Sequence, residues 1–204
     1  TPIEFQQAYA DHSAEGVERI LIDLRDNVGG YLQAATALAT EFLSKGDLLV
    51  YNKGAHYPRE DFKSPRDGRL KEIPLSILVN ENSASASEIF AGAMQDLDRA
   101  LIVGRRTFGK GLVQVPFELK DRSVVRLTVA RYYTPSGRSI QKSYAKGFEA
   151  YAEDIEDRYL HGEFYSADSI SRPDTTRYYT RMGRVVYGGG GITPDIFTRS
   201  EEHT

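Results

Sequence analysis

The chain has 204 residues, of which 40% are hydrophobic and 27% charged, with a formal net charge of −3. That length fits one medium domain with a real core. There is no extended run of like charge and no apolar stretch near the ~18 residues of a membrane span, so nucleic acid, an anionic membrane surface and a spanning helix are not expected. Cysteine is absent. This removes disulfides, thiolate metal sites and a cysteine nucleophile. His12, His56, His161 and His203 are scattered without metal-ligand spacing, and no metal or cofactor is expected. The first residue is Thr and no signal peptide is present, so the chain reads as a fragment or processed form.

Thr1-Pro2-Ile3-Glu4 has the chemistry of a helix start: Thr as N-cap, Pro at the first helical position, Glu closing a capping box. That helix is predicted to run to about Gly16. Arg19 to Leu24 is short, apolar and β-branched, the pattern of a buried strand. Asp26-Asn27-Val28-Gly29-Gly30 follows as a tight turn. Leu32, Ala35, Thr36, Ala39, Phe42 and Leu43 then share one helical face. Asp47 to Lys53 reads as a strand, and His56 to Leu70, with two prolines and many charges, as a surface loop or hairpin. Leu75 to Val79 is another buried strand. Ser85 to Leu97 is a helix with Ile89, Phe90, Ala93, Met94 and Leu97 inward, and Leu101 to Val103 is a short strand. This order predicts a mainly parallel α/β core.

The second half differs. Val113 to Leu119 and Val124 to Tyr133 are predicted strands of a hairpin turned by Lys120-Asp121-Arg122-Ser123. Val125, Leu127 and Val129 alternate with polar residues, the pattern of a half-buried strand. Thr134-Pro135-Ser136-Gly137 is a turn by its chemistry. Phe148 to Leu160 is acidic, tyrosine-bearing and predicted helical. Ser166 to Thr180 is polar, Arg184 to Tyr187 is a short strand candidate, and four glycines follow from Gly188 to Gly191.

Three stretches carry candidate chemistry. Ser85-Ala86-Ser87-Glu88 fits a capping box with Ser85 as N-cap, and an ordinary cap explains it by itself. The same geometry sets a side chain at the positive end of a helix, where an alkoxide or a developing oxyanion is favoured. Small Ala84 and Ala86 leave room for a substrate carbonyl, while Ser83 and Ser87 compete locally with Ser85. Lys110 stands between Gly109 and Gly111, where a side chain can be aimed, although most lysines are solvated surface charges. A lysine acting as general base must lose about 3 pKa units to reach ~7–8, roughly 4 kcal/mol drawn mainly from burial. Gln114, four residues on, could hold such an amine, or simply face solvent from a strand. Gly29-Gly30, after a strand and before a helix, suits an oxyanion hole or an ordinary turn. Asp23 and Arg25 are expected to pair structurally. The run Gly104 to Lys110 approaches a phosphate-binding loop, but Gly111 replaces the Ser/Thr that would bind Mg²⁺, and strand residues follow where a helix should start.

Five blocks in order resemble the carboxy-terminal processing peptidases, or tail-specific proteases: Leu21 to Gly30, Leu78 to Ile89, Val103 to Gly111, Leu127 to Ile140 and Gly190 to Ile196. The resemblance implies a Clp-protease/crotonase-like α/β core and a Ser–Lys endopeptidase that cleaves unstructured or C-terminal protein tails through an acyl-enzyme. Ser85 would be nucleophile, Lys110 general base and Gln114 its orienting partner. The amides of Ala86 and of Gly29 or Gly30 would form the oxyanion hole. Family members work in bacterial envelopes and chloroplasts and carry a PDZ domain, which this chain lacks, so residues 1–204 are expected to be a single catalytic domain in fragment form. The family strand before the first helix is also absent. Val28 and Asn82 replace smaller residues near the oxyanion loop. An insertion of uncertain role spans about 142–188. The same fold also serves non-proteolytic retinoid-binding relatives, so a ligand-binding module is the competing expectation, as is a catalytic fragment inert in isolation.

Overall fold

A computed structural model describes residues 2–14, 16–172 and 174–200. The chain opens with α1 (Pro2–Ser13), β1 (Ile20–Asp23), α2 (Leu32–Thr40), β2 (Leu48–Lys53) and β3 (Glu60–Lys63). It continues through β4 (Leu75–Val79), α3 (Ala86–Asp96), β5 (Ala100–Gly104), β6 (Leu112–Glu118) and β7 (Val124–Tyr133). Helices α4 (Gly147–Ala152) and α5 (Asp154–Leu160) follow, then the short strands β8 (Tyr178–Tyr179), β9 (Val185–Val186) and β10 (Ile196–Phe197). The Thr1 cap anticipated for the first helix lies outside the described residues.

Two four-stranded sheets organise these elements. One is parallel, in the order β1-β4-β5-β10, with Ile22 beside Ile77 and Ile77 beside Ile102. The other is antiparallel, in the order β3-β2-β7-β6, so the His56–Leu70 stretch does contain a hairpin strand. Helix α3 packs on both sheets and on α2. Phe42, Leu49, Ile77, Met94, Ile102, Ile140 and Ile192 are buried in one continuous core. Such burial contributes about 1.5–3 kcal/mol per large apolar side chain. The α/β expectation therefore holds, with parallel strands confined to the first sheet.

Three details differ from the sequence reading. β1 is an edge strand with one covered face: Leu21 is 63% exposed while Ile20 and Ile22 pack against the core. A short apolar run fixes the strand but not how many of its faces are covered. Helix α2 stops at Thr40, and Phe42 and Leu43 are buried in the turn that follows. The β6–β7 hairpin is not half-buried along its length. β2 pairs only with Arg131–Tyr133, so the rest of β7 pairs with β6 alone and exposes Val124, Val125 and Leu127.

The 142–188 segment is anchored by buried charge. Arg106 forks onto Glu163 at 2.7 and 2.6 Å, and Arg158 reaches Glu163 and the carbonyls of Arg106 and Thr107. Bidentate guanidinium–carboxylate contacts of this kind are the geometrically specific ones.

Candidate active site

After β4 the chain turns through Asn80–Ala84 and enters α3 at Ser85. Ser85 has φ +57° and ψ −115°, a region that costs an L-residue of order 1–3 kcal/mol and persists only where its surroundings over-determine it. Those surroundings are explicit. The Ser83 hydroxyl donates to Leu24 O at 2.7 Å and accepts from Asn80 N at 2.9 Å. The Ser87 hydroxyl is bonded to Asn27 O and Oδ1, both at 3.0 Å, and Ala84 N donates to Asn27 O. Two of the three competing serines thus tie the loop to the strand-end turn of β1. The Ser85 hydroxyl donates to no acceptor among the described residues.

The glycine pair separates into two roles. Gly29 has φ +90°, and a Cβ there would lie 2.5 Å from Ala84 O and 2.7 Å from Ala86 N. Its amide donates to Asn27 Oδ1 at 2.9 Å. Gly29 therefore allows the turn to touch the start of α3, but its N–H is engaged. Gly30 has open space around it, and among the described residues neither its amide nor that of Ala86 has an acceptor. Beside them lies a cleft of about 400 Å³ whose wall includes Phe5, Leu24, Leu38, Ala86 and Phe90. Val28 is 73% exposed and lies outside that wall.

Glu88 joins the two halves of the site. Its carboxylate is fully buried. Oε2 accepts from Ser85 N at 2.9 Å and from Lys110 N at 2.8 Å; Oε1 accepts from Gly109 N at 2.7 Å and from the Thr107 hydroxyl. Burial pushes the carboxyl above its ordinary value, against those hydrogen bonds. The backbones of Ser85 and Lys110 are thereby held on one oxygen. The side chains are less constrained. The Lys110 side chain is exposed and has no hydrogen bond or ion pair among the described residues, and that of Gln114, at a β-bulge in β6, is also exposed and unbonded. Ser85, Lys110 and the two amides are thus brought to one region, whereas no contact joins Gln114 to Lys110. The sequence reading had Glu88 only as a cap partner, a role that explained it fully within four residues and concealed its second attachment.

Nearby charges are structural. Asp23 forks onto Arg25, which holds its carboxyl below the ordinary range. Asp26, at φ +58°, accepts from Asn82 and Asn80 amides, which lower it too. Asn82 thus braces the turn after β1. Among the described residues no cluster of His, Cys, Asp and Glu could hold a metal ion, and no helix is long and apolar enough to cross a membrane.

A two-sheet α/β core with a serine in a forced conformation at a helix start is the framework of a serine-type peptidase, and the sequence match agrees: the model of peptidase family S41 covers residues 1–151, and the chain belongs to that family. Among individual relatives, it is 42% identical over 137 residues to the chloroplastic C-terminal processing peptidase of Tetradesmus obliquus, covering 67% of this chain and 29% of that protein. It is 37% identical over 179 residues to a probable CtpA-like serine protease of Staphylococcus haemolyticus, covering 86% and 35%. The structure superposes on a photosystem II D1 C-terminal processing protease with a TM-score of 0.69 and 30% identity, over 98% of this chain and 39% of that one. The chain thus spans roughly a third of the length of these relatives.

Proposed function

We propose that residues 1–204 form the catalytic domain of a serine endopeptidase that cleaves unstructured or C-terminal tails of proteins by acyl transfer to Ser85. The observation that carries this reading is the Ser85 backbone, forced into a positive-φ conformation beside two free amides, Ala86 and Gly30. A scissile carbonyl next to Ser85 would lose its double bond to the attacking Oγ while its oxygen took the two N–H bonds. Lys110 would take the hydroxyl proton and return it to the leaving amine, and water would then release the acyl group. Gly30 rather than Gly29 would serve the oxyanion, because Asn27 already occupies the Gly29 amide. The apolar cleft beside Ala86 would receive an apolar substrate side chain. The substrate backbone would lie extended along an exposed strand edge, where main-chain pairing asks little of sequence. An envelope or periplasmic location and a PDZ domain in the whole protein belong to the same proposal.

The exposure of Lys110 and Gln114 favours a second state of this reading. A neutral lysine needs cover from water, so the pair would become competent only when substrate or another protein segment covers it, and the isolated chain would be inert. The deciding experiment is cleavage of an unstructured substrate by full-length enzyme with Ser85→Ala or Lys110→Ala. Activity unchanged in both variants sinks the proposal. Labelling of Ser85 by a serine-directed probe in full-length protein but not in the isolated chain supports the covered-lysine state.

A further inference from the structure

A cavity of about 720 Å³ lies between the 142–188 segment and the core. Four cations line it, Arg106, Lys142, Lys146 and Arg158, against the carboxylates of Asp154, Asp157 and Glu163. Their burial is unequal. Arg106, Lys142 and Arg158 are all buried, at 6%, 5% and 4% exposure, but Glu163 is the one buried carboxylate among the three. Both Glu163 oxygens are taken by the two arginines, whose remaining bonds run to the carbonyls of Gly190, Thr107 and Arg106.

Lys142 is left with Asp154. Its Nζ lies 3.1 Å from Asp154 Oδ2, which also faces Arg158 at 3.9 Å. Its Nζ also lies over the faces of Phe108 and Tyr151, at 4.0 and 4.3 Å. Three buried cations thus share one buried and one half-buried carboxylate, and a buried charge without full compensation is costly. Burial, with the two arginines, lowers the Lys142 amine below its ordinary value against the pull of Asp154. Ser169, Ser171 and Gly190 also line the cavity, and neither serine hydroxyl nor the Gly190 amide donates to an acceptor among the described residues.

We propose that this cavity binds a small oxyanion, the carboxylate or phosphate group of a ligand, with the Lys142 ammonium as its main partner and Lys146 at its mouth. An oxyanion there would balance the buried charge and occupy the free donors. The site is distinct from Ser85 and does not depend on the peptidase reading. It does touch the loop bearing Lys110, because Lys142 N donates to Gly109 O at 2.9 Å.

The test uses the 204-residue chain with Ser85→Ala, so that no turnover interferes. Calorimetric titration at constant ionic strength would compare inorganic phosphate, a short peptide with a free C-terminal carboxylate and the same peptide as its C-terminal amide. Saturable binding is expected, weakened at least tenfold by Lys142→Met and severalfold by Lys146→Ser; the second residue is exposed, so its variant keeps the fold if the first does not. Phosphate binding alone would identify a free phosphate site. Binding of the acid peptide, not the amide, with phosphate competing, would identify a terminal carboxylate. No saturable binding of any of the three, or binding that Lys146→Ser or a folded Lys142→Met leaves unchanged, overturns the proposal.

Discussion

The serine side of the candidate site hangs on the parallel sheet, the lysine side on the base of an antiparallel hairpin, and they differ in how much protein holds them. Ser83, Ser87, Asn27 and Gly29 lock the turn around Ser85 through hydrogen bonds across about 60 residues of sequence. On the other side Gly109 and Lys110 are fixed by their backbones, while the side chains of Lys110 and Gln114 stand in solvent. In the proposed reaction, the part that would meet a developing oxyanion is preorganised by the core. The part that would need to be desolvated is, on the same reading, left for another surface to complete. Glu88 is the joint, and it is where the comparison breaks most completely.

Glu88→Ala would leave three backbone amides and a hydroxyl without their acceptor. Each orphaned buried donor costs about 1–3 kcal/mol before relaxation, so a loss of at least about 3 kcal/mol in urea-induced unfolding is expected. A loss under about 1 kcal/mol would mean that the two sides are held independently. The pH dependence has a definite sign. A carboxyl raised in the folded state binds its proton more tightly there than when unfolded, so stability falls as pH rises from the ordinary 4.5 through the folded value. Relative to Glu88→Gln, the parent chain should therefore gain stability as pH is lowered toward 4.5, and a loss over that window would contradict the burial argument.

The next effects sharpen the serine side. Ser83→Ala removes the hydrogen bond to Leu24 O from a fully buried site and should cost about 1–3 kcal/mol. Gly29→Ala adds a methyl into Ala84 O and Ala86 N at a positive φ. It should cost a similar 1–3 kcal/mol and also block serine-probe labelling. Ser85→Gly should go the other way. Glycine adopts φ +57° without strain, so stability should rise by up to about 1 kcal/mol while acyl transfer disappears. Destabilisation by Ser85→Gly in thermal melting would show that the positive φ stores no strain.

Much of the serine side was legible in the sequence because its signals are local. Helical spacing located α2 and α3, β-branched runs located β1, β4 and β5, and Ser85 with Glu88 marked the helix start. What escaped depends on distant partners. Ile196–Phe197 is too short to show a strand pattern and becomes β10 only because β5 offers its edge. The Arg106–Glu163 contact spans 57 positions, and neither residue is unusual where it stands. Alternation in β7 predicted a half-buried strand, but the hairpin runs on beyond its pairing with β2 and exposes Val124, Val125 and Leu127. That Ser85, unlike Ser83 and Ser87, does not tie its hydroxyl to the turn after β1 became visible only with its neighbours' hydrogen bonds.

Gln114→Ala gives the smallest expected effect and tests the lysine side most cleanly. The residue is exposed, unbonded and at a bulge, so stability of the isolated chain should change by less than about 0.5 kcal/mol. If Gln114 holds the Lys110 amine only once the cleft is covered, the same substitution should lower kcat of the full-length enzyme with little change in KM, since the interaction would form after substrate arrives. An unchanged kcat would remove Gln114 from the site and leave Lys110 to be oriented by the Glu88-bound backbone. A lower kcat together with an unchanged melting temperature would separate the two sides by when they are built, the serine side on folding and the lysine side on binding.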